Sequence, residues 1–326
     1  MAAHLIHIGY PKAGSTFLQA WFEQHPDLCF KLGGLGGFHN VYEIARHSNE
    51  ICKYYVTSYE GLSMPLKSAG GINLSYGGAE PDTDVRIVET QASVCSVLKS
   101  LYPGSRVLII TRGFKGMIVS GYSQYVRMGG RLQLNAMCYQ LAGLVQNDTL
   151  HYYDFDGLIR LYREAFGAEH LIILPYELLR DDQNKFLAVL EAELGLVHVE
   201  IKLERLNPSL SPEELYWYPL ISRAVSAAAA RLGPSLFRRI YTWYIGKTMD
   251  NQLRWLIRLL DFLRPARKIT EADFPVEILD SFHGCAGLLR DNPVYEPYAA
   301  DYLWDQSPRE KGETEISLKT WPSPDL

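Results

Sequence analysis

Two short segments of this chain hold residues able to grip an anion. In the first, Gly9-Tyr10-Pro11-Lys12-Ala13-Gly14-Ser15-Thr16-Phe17, a lysine and two hydroxyls sit in and just after a span bounded by glycines. The run before it, Leu5-Ile6-His7-Ile8, reads as a short buried strand, and Phe17, Leu18, Trp21 and Phe22 mark the apolar side of a helix over 15–25. A tight loop between a strand and a helix aims backbone N–H groups and the positive end of a helix dipole at one point. Lys12 adds a full charge there, and Gly9 and Gly14 let backbone approach a phosphate closely. The chemistry implied is the binding of a phosphorylated nucleotide.

The lysine's place narrows the choice. A nucleotide-triphosphatase loop carries its lysine directly after the second glycine. Here Ser15 holds that position and Lys12 lies inside the loop, beside the first phosphate instead of along a triphosphate. In the second segment, Arg106-Val107-Leu108-Ile109-Ile110-Thr111 follows Pro103-Gly104 and reads as a buried parallel strand. Arg112 emerges at its carboxyl end, where open α/β sheets place their ligands. Residues 115–127 then have a helical pattern, with Met117, Ile118, Gly121 and Tyr125 available for packing and Ser120 on its second or third turn. A strand-end arginine and a hydroxyl on the next helix can converge on one phosphate.

The stretch Tyr10–Thr16 resembles the 5′-phosphosulfate loop of sulfotransferases that use 3′-phosphoadenosine 5′-phosphosulfate (PAPS). Arg112 and Ser120, eight residues apart across a strand–helix junction, resemble the 3′-phosphate segment of the same superfamily, although Phe114 stands where the family usually has proline. The text from Tyr153 to Leu196, including Leu161–Gly167 and Pro175–Leu179, continues the likeness, which spans residues 4–210. Leu206–Ser211 resembles a segment that closes the nucleotide site in bacterial members. The glycine-rich, lysine-containing loop of cytosolic sulfotransferases is not recognisable.

The resemblance implies PAPS as co-substrate, with Pro11, Lys12, Ala13, Gly14, Ser15, Thr16 and Phe17 at its 5′-phosphate. Backbone N–H groups from Ala13 to Phe17 would be the donors. Arg112 and Ser120 would hold the 3′-phosphate, and Asn207 and Ser209 would lie in the closing segment. Lys12 is the expected catalytic cation. Glu60, just after the candidate strand Tyr54–Ser58, is the first choice of general base, and His39 the second. The glutamate's place implies a carbohydrate or glycoconjugate acceptor. No metal is expected. Two other readings remain: a P-loop kinase-like phosphotransferase using Mg·ATP, and a non-catalytic protein that keeps the nucleotide fold for binding.

The elements needed to position these residues follow from the pattern. Strand and helix alternate through 84–101, 106–111, 115–127, 156–167, 171–174 and 183–194. That alternation implies an α/β fold, a parallel sheet flanked by helices of the P-loop-like sulfotransferase type. The expected organisation is a core over 1–210, a helical extension over 211–305 and a polar, disordered tail from 306. Gly33–Asn40 reads as a loop at the acceptor rim. His4 and His7 read as core or sheet-face residues. A net charge of −5 excludes a general nucleic-acid surface, which needs clustered excess basic charge. The five scattered cysteines fit neither a zinc site nor a disulfide framework and point to a reducing compartment. With the first strand starting near residue 4, a cytoplasmic enzyme of bacterial type is expected. Residues 213–264 carry arginines among aromatics, a composition suited to peripheral membrane contact, a lid or a homodimer surface.

Overall fold

The computed structural model describes residues 3–10, 12–30, 52–63, 72–73, 80–81, 86–143, 149–201 and 210–305. Its centre is a five-stranded parallel sheet of β1 (Ala3–His7), β2 (Leu28–Phe30), β3 (Tyr54–Ser58), β4 (Arg106–Thr111) and β5 (Leu171–Pro175), in the spatial order β2-β3-β1-β4-β5. Leu5, Ile6 and the run Val107–Ile110 are wholly buried, because helices cover both faces of a parallel sheet. The chain travels outward from β1 to β2, returns through β3, then crosses to the other side of β1 for β4. β1 and β4 therefore flank the point where the strand order reverses, and the crevice beyond their carboxyl ends is the natural ligand position.

The expected α/β sheet is borne out, with a few changes in detail. α1 (Ser15–Gln24), α2 (Ile87–Leu101), α3 (Phe114–Arg127), α5 (Phe155–Phe166) and α7 (Gln183–Leu194) fall within a few residues of the expected helices. β2, α4 (Leu134–Gly143), α6 (Tyr176–Asp181) and a two-residue hairpin pairing Ile72–Asn73 with Glu80–Pro81 were not anticipated. Gly121 faces solvent instead of packing, while Met117, Ile118 and Tyr125 are buried. Phe114 has a packing role of its own. It is fully buried and stacks on Phe155 (5.1 Å) and Phe282 (4.8 Å).

Beyond residue 210 come α8 (Pro212–Ala230), α9 (Pro234–Met249), α10 (Arg254–Leu263) and α11 (Val276–Ser281). A capping box starts α8: the Ser211 hydroxyl accepts from the Glu214 N–H (3.3 Å) and the Glu214 carboxylate accepts from the Ser211 N–H (2.8 Å). α8 packs on α3, and α9 and α10 pack on α8. The last described residues return to the sheet. The Thr111 hydroxyl is 2.8 Å from both Tyr295 Oη and Tyr302 Oη. Among the described residues no helix is long and apolar enough to cross a membrane.

Candidate functional site

The loop after β1 is held from several sides. Ile8 and Tyr10 donate backbone N–H groups to Leu108 and Ile110 of β4, extending the strand pairing into the loop. The Ser63 hydroxyl donates to the Gly9 carbonyl (3.2 Å), and Gln91 fixes Ser63 in turn through its carbonyl (2.8 Å). The Ala13 N–H donates to the Tyr10 carbonyl (3.2 Å) and closes the turn. That leaves the first-turn groups of α1, the N–H of Ser15, Thr16 and Phe17, without an intrahelical acceptor.

Gly14 precedes α1 in the left-handed region (φ 84°), where a β-carbon would stand 2.6 Å from Leu179 Cδ2. Lys12 also has positive φ (67°), so the loop carries a second left-handed residue. The Lys12 ammonium is exposed and donates to Gln124 Oε1 (3.3 Å). Its pKa is lowered chiefly by desolvation, with Arg127 and Arg112 adding to the effect and the Glu60 carboxylate opposing it.

Arg112 leaves the end of β4 and turns back over the loop. Its guanidinium donates to the Lys12 carbonyl and lies over the Tyr176 ring, 4.4 Å from the centroid. The register explains the stacking: Thr111 pairs with Pro175, so Arg112 and Tyr176 leave neighbouring strands side by side. The backbone behind Arg112 is fixed by a buried carboxylate. Glu177 Oε1 accepts from the Gly113 N–H (3.0 Å), Oε2 accepts from Tyr302 (3.1 Å), and burial raises the Glu177 pKa. The Phe114 N–H donates to the Asp301 carbonyl (3.0 Å).

Against the loop lies one face of α3. A β-carbon on Gly116 would sit 3.4 Å from Arg112 Nε. Ser120, Ser123, Gln124 and Arg127 follow at helical spacing on the same side. Ser120 is buried one turn above Gly116. The Ser123 hydroxyl accepts from the Leu210 N–H (3.3 Å). Glu60 begins a short 3₁₀ turn just past β3, half-buried, with its charge felt by both Lys12 and the buried Tyr152.

The geometry thus brings Lys12, Gly14, Ser15, Thr16, Phe17, Arg112, Ser120 and Glu60 to the carboxyl edge of the sheet. Pro11, His39, Asn207 and Ser209 lie outside the described residues. No protein-family model matches the chain, and no curated protein does. Among solved structures it is similar to a sulfotransferase from Alicyclobacillus acidocaldarius. The identity is 14% and the TM-score 0.38, over 73% of this chain and 99% of that one.

Three residues of the site escaped the sequence reading. Tyr176 could have been found by aligning the ends of the two apolar runs, 106–111 and 171–175. Gln124 and Arg127 continue the helical spacing from Gly116 and Ser120. Both are legible from the helical pattern of 115–127, but a polar stripe on a helix ordinarily reads as its solvated face and so does not mark them as site residues. Among the described residues no group of histidine, cysteine and carboxylate side chains is arranged to hold a metal.

Proposed function

We propose that this chain is a PAPS-dependent sulfotransferase acting on an acceptor hydroxyl, with a carbohydrate or glycoconjugate as the favoured acceptor. The observation that carries the reading is the joining of two cationic grips: Arg112, from the end of β4, donates to the backbone of Lys12 in the loop after β1. One grip suits a 5′-phosphate at a helix N-terminus. The other suits a separate phosphate on the ribose 3′ position, which PAPS has and ATP lacks. Two donors support the fit. Ser15 Oγ and Arg112 Nε are buried with no hydrogen-bond partner among the described residues, and buried donors are normally satisfied.

Bound PAPS supplies an activated sulfuryl group on its 5′-phosphate. The N–H groups of Ser15, Thr16 and Phe17 and the Ser15 and Thr16 hydroxyls hold that phosphate. Lys12 keeps positive charge beside the oxygen that becomes more negative as the bond to sulfur breaks. Arg112 and Ser120 orient the far phosphate, so positioning and fixed charge do most of the work. Glu60 takes the proton from the acceptor hydroxyl. Its charge is felt by Lys12, so the two side chains face the same part of the site.

The test is thermal stability with 3′-phosphoadenosine 5′-phosphate (PAP), the desulfated product, against Mg·ATP. At ~100 times its dissociation constant a ligand bound only by the folded state adds ~2.7 kcal/mol. The expected result is stabilisation by PAP, little by Mg·ATP, and loss of the PAP effect in Arg112→Ala. Stabilisation by Mg·ATP without PAP would replace this reading with the kinase-like one. With PAPS and an acceptor sugar in hand, Lys12→Ala should lower kcat by about 10²–10³, the usual effect of removing one stabilising donor from a developing charge.

A further inference from the structure

The outer side of α10 is apolar. Trp255, Leu259, Phe262 and Leu263 lie together on one side of the helix and are 65%, 48%, 85% and 69% exposed. Ile257, on the opposite side, is buried in the core. A helix on the surface of a water-soluble domain normally turns its polar side outward. α9 repeats the arrangement on a smaller scale, with Leu236 and Trp243 exposed on one stripe and Lys247 lying 5.9 Å over the Trp243 ring.

The charge around these residues is strongly one-sided. Between Arg231 and Lys268 nine lysines and arginines accompany two acidic residues, Asp250 and Asp261, in a chain whose net charge is −5. Arg238, Arg239, Arg258 and Arg264 are exposed, and among the described residues no carboxylate pairs with any of them. The helix is firmly mounted. Arg254 at its start bonds Glu214 of the α8 capping box (2.9 Å), and Ile257 anchors its inner side.

We propose that the outer faces of α9 and α10 seat on an anionic lipid bilayer, with Trp255, Phe262 and Leu263 in the acyl–headgroup boundary and the arginines at the phosphates. Amphipathic helices that lie in the interface combine bulky apolar residues, often tryptophan, with flanking lysine and arginine. Each basic residue adds attraction to an anionic leaflet. α10, at ten residues, is about 15 Å long, far short of a bilayer's thickness, so it lies on the membrane and does not cross it. A second copy of the chain is a poorer occupant, since a symmetric contact through this face would bring two clusters of like charge together.

The test is co-sedimentation of the full chain with extruded vesicles, comparing phosphatidylcholine alone with an equimolar mixture of phosphatidylcholine and phosphatidylglycerol. The expected result is binding to the mixed vesicles only, weakened at least about tenfold by raising salt from low to moderate ionic strength. Phe262→Asp with Trp255→Asp, and separately Arg258→Glu with Arg264→Glu, should each abolish it while leaving the thermal midpoint near wild type, because these side chains are exposed. Equal binding to both vesicles, no binding to either, or binding untouched by both double variants would overturn the proposal. So would a dimer in sedimentation equilibrium that the Phe262→Asp, Trp255→Asp pair dissolves and the vesicles do not compete with.

Discussion

His7 shows how closely the site is built around single residues. Its ring is wholly buried at the end of β1, its Nδ1 is 2.7 Å from Ser58 Oγ across the strand pair, and its Nε2 has no partner among the described residues. A β-carbon on Gly9 would come within 2.4 Å of that nitrogen, so the glycine at the mouth of the loop is required by the histidine beneath it. Burial lowers the His7 pKa to about 3 from an ordinary 6.5. In that interval the unfolded chain carries the proton and the folded one does not. Stability therefore falls as pH drops from 6.5 towards 3. One proton of difference corresponds to about 1.4 kcal/mol per pH unit. His7→Gln should flatten the urea-midpoint profile between pH 6 and 4 by about that slope, while an unchanged slope would mean the imidazole protonates freely in the folded state. The sequence placed His7 on the strand or in the core. It did not show that His7 dictates Gly9, because that depends on which way the ring turns.

At the scale of elements, the loop and its helix were the most legible part of the chain, and their mounting was the least. Lys12 and Arg112 declare themselves by type and position. That Arg112 would reach back to the Lys12 carbonyl follows only from the adjacency of β1 and β4, which strand patterns do not encode. β2 was missed because three residues, Leu28-Cys29-Phe30, are too short to show a period. Residues 213–264 read as helical throughout, and Gly233-Pro234 divides α8 from α9 as glycine and proline are expected to do. The close fit of α1 to α6 yields a prediction. Gly14→Ala would put a methyl 2.6 Å from Leu179 Cδ2 at a residue already in left-handed backbone. The expected cost is about 1–3 kcal/mol, read as a lower urea midpoint, together with weaker PAP stabilisation because the α1 N-terminus is displaced. A midpoint within error of wild type would show that α6 yields there.

For the whole molecule, the end of the described chain belongs to the carboxyl edge of the sheet. Thr111, Glu177, Tyr295 and Tyr302 form one buried polar network that spans β4, α6 and the segment before residue 305. Its products are the fixed Gly113 N–H and, through it, the aim of Arg112. Nothing in the sequence linked Tyr302 to Arg112, which it follows by nearly two hundred residues, because a tyrosine reads as core whether or not its hydroxyl has a role. Tyr302→Phe keeps the ring and removes that hydroxyl, leaving Glu177 and Thr111 each short of a partner in a buried place. Such a loss costs about 1–3 kcal/mol, so the urea midpoint should fall. Far-ultraviolet circular dichroism and tyrosine fluorescence should still report a single shared transition, since the terminal segment and the sheet share one core. The affinity for PAP should drop severalfold as Gly113 loosens, although Tyr302 itself is buried and out of the ligand's reach. If stability falls while PAP affinity holds, Glu177 supports the fold alone, and Arg112 is positioned by Tyr176 and the Lys12 carbonyl without it.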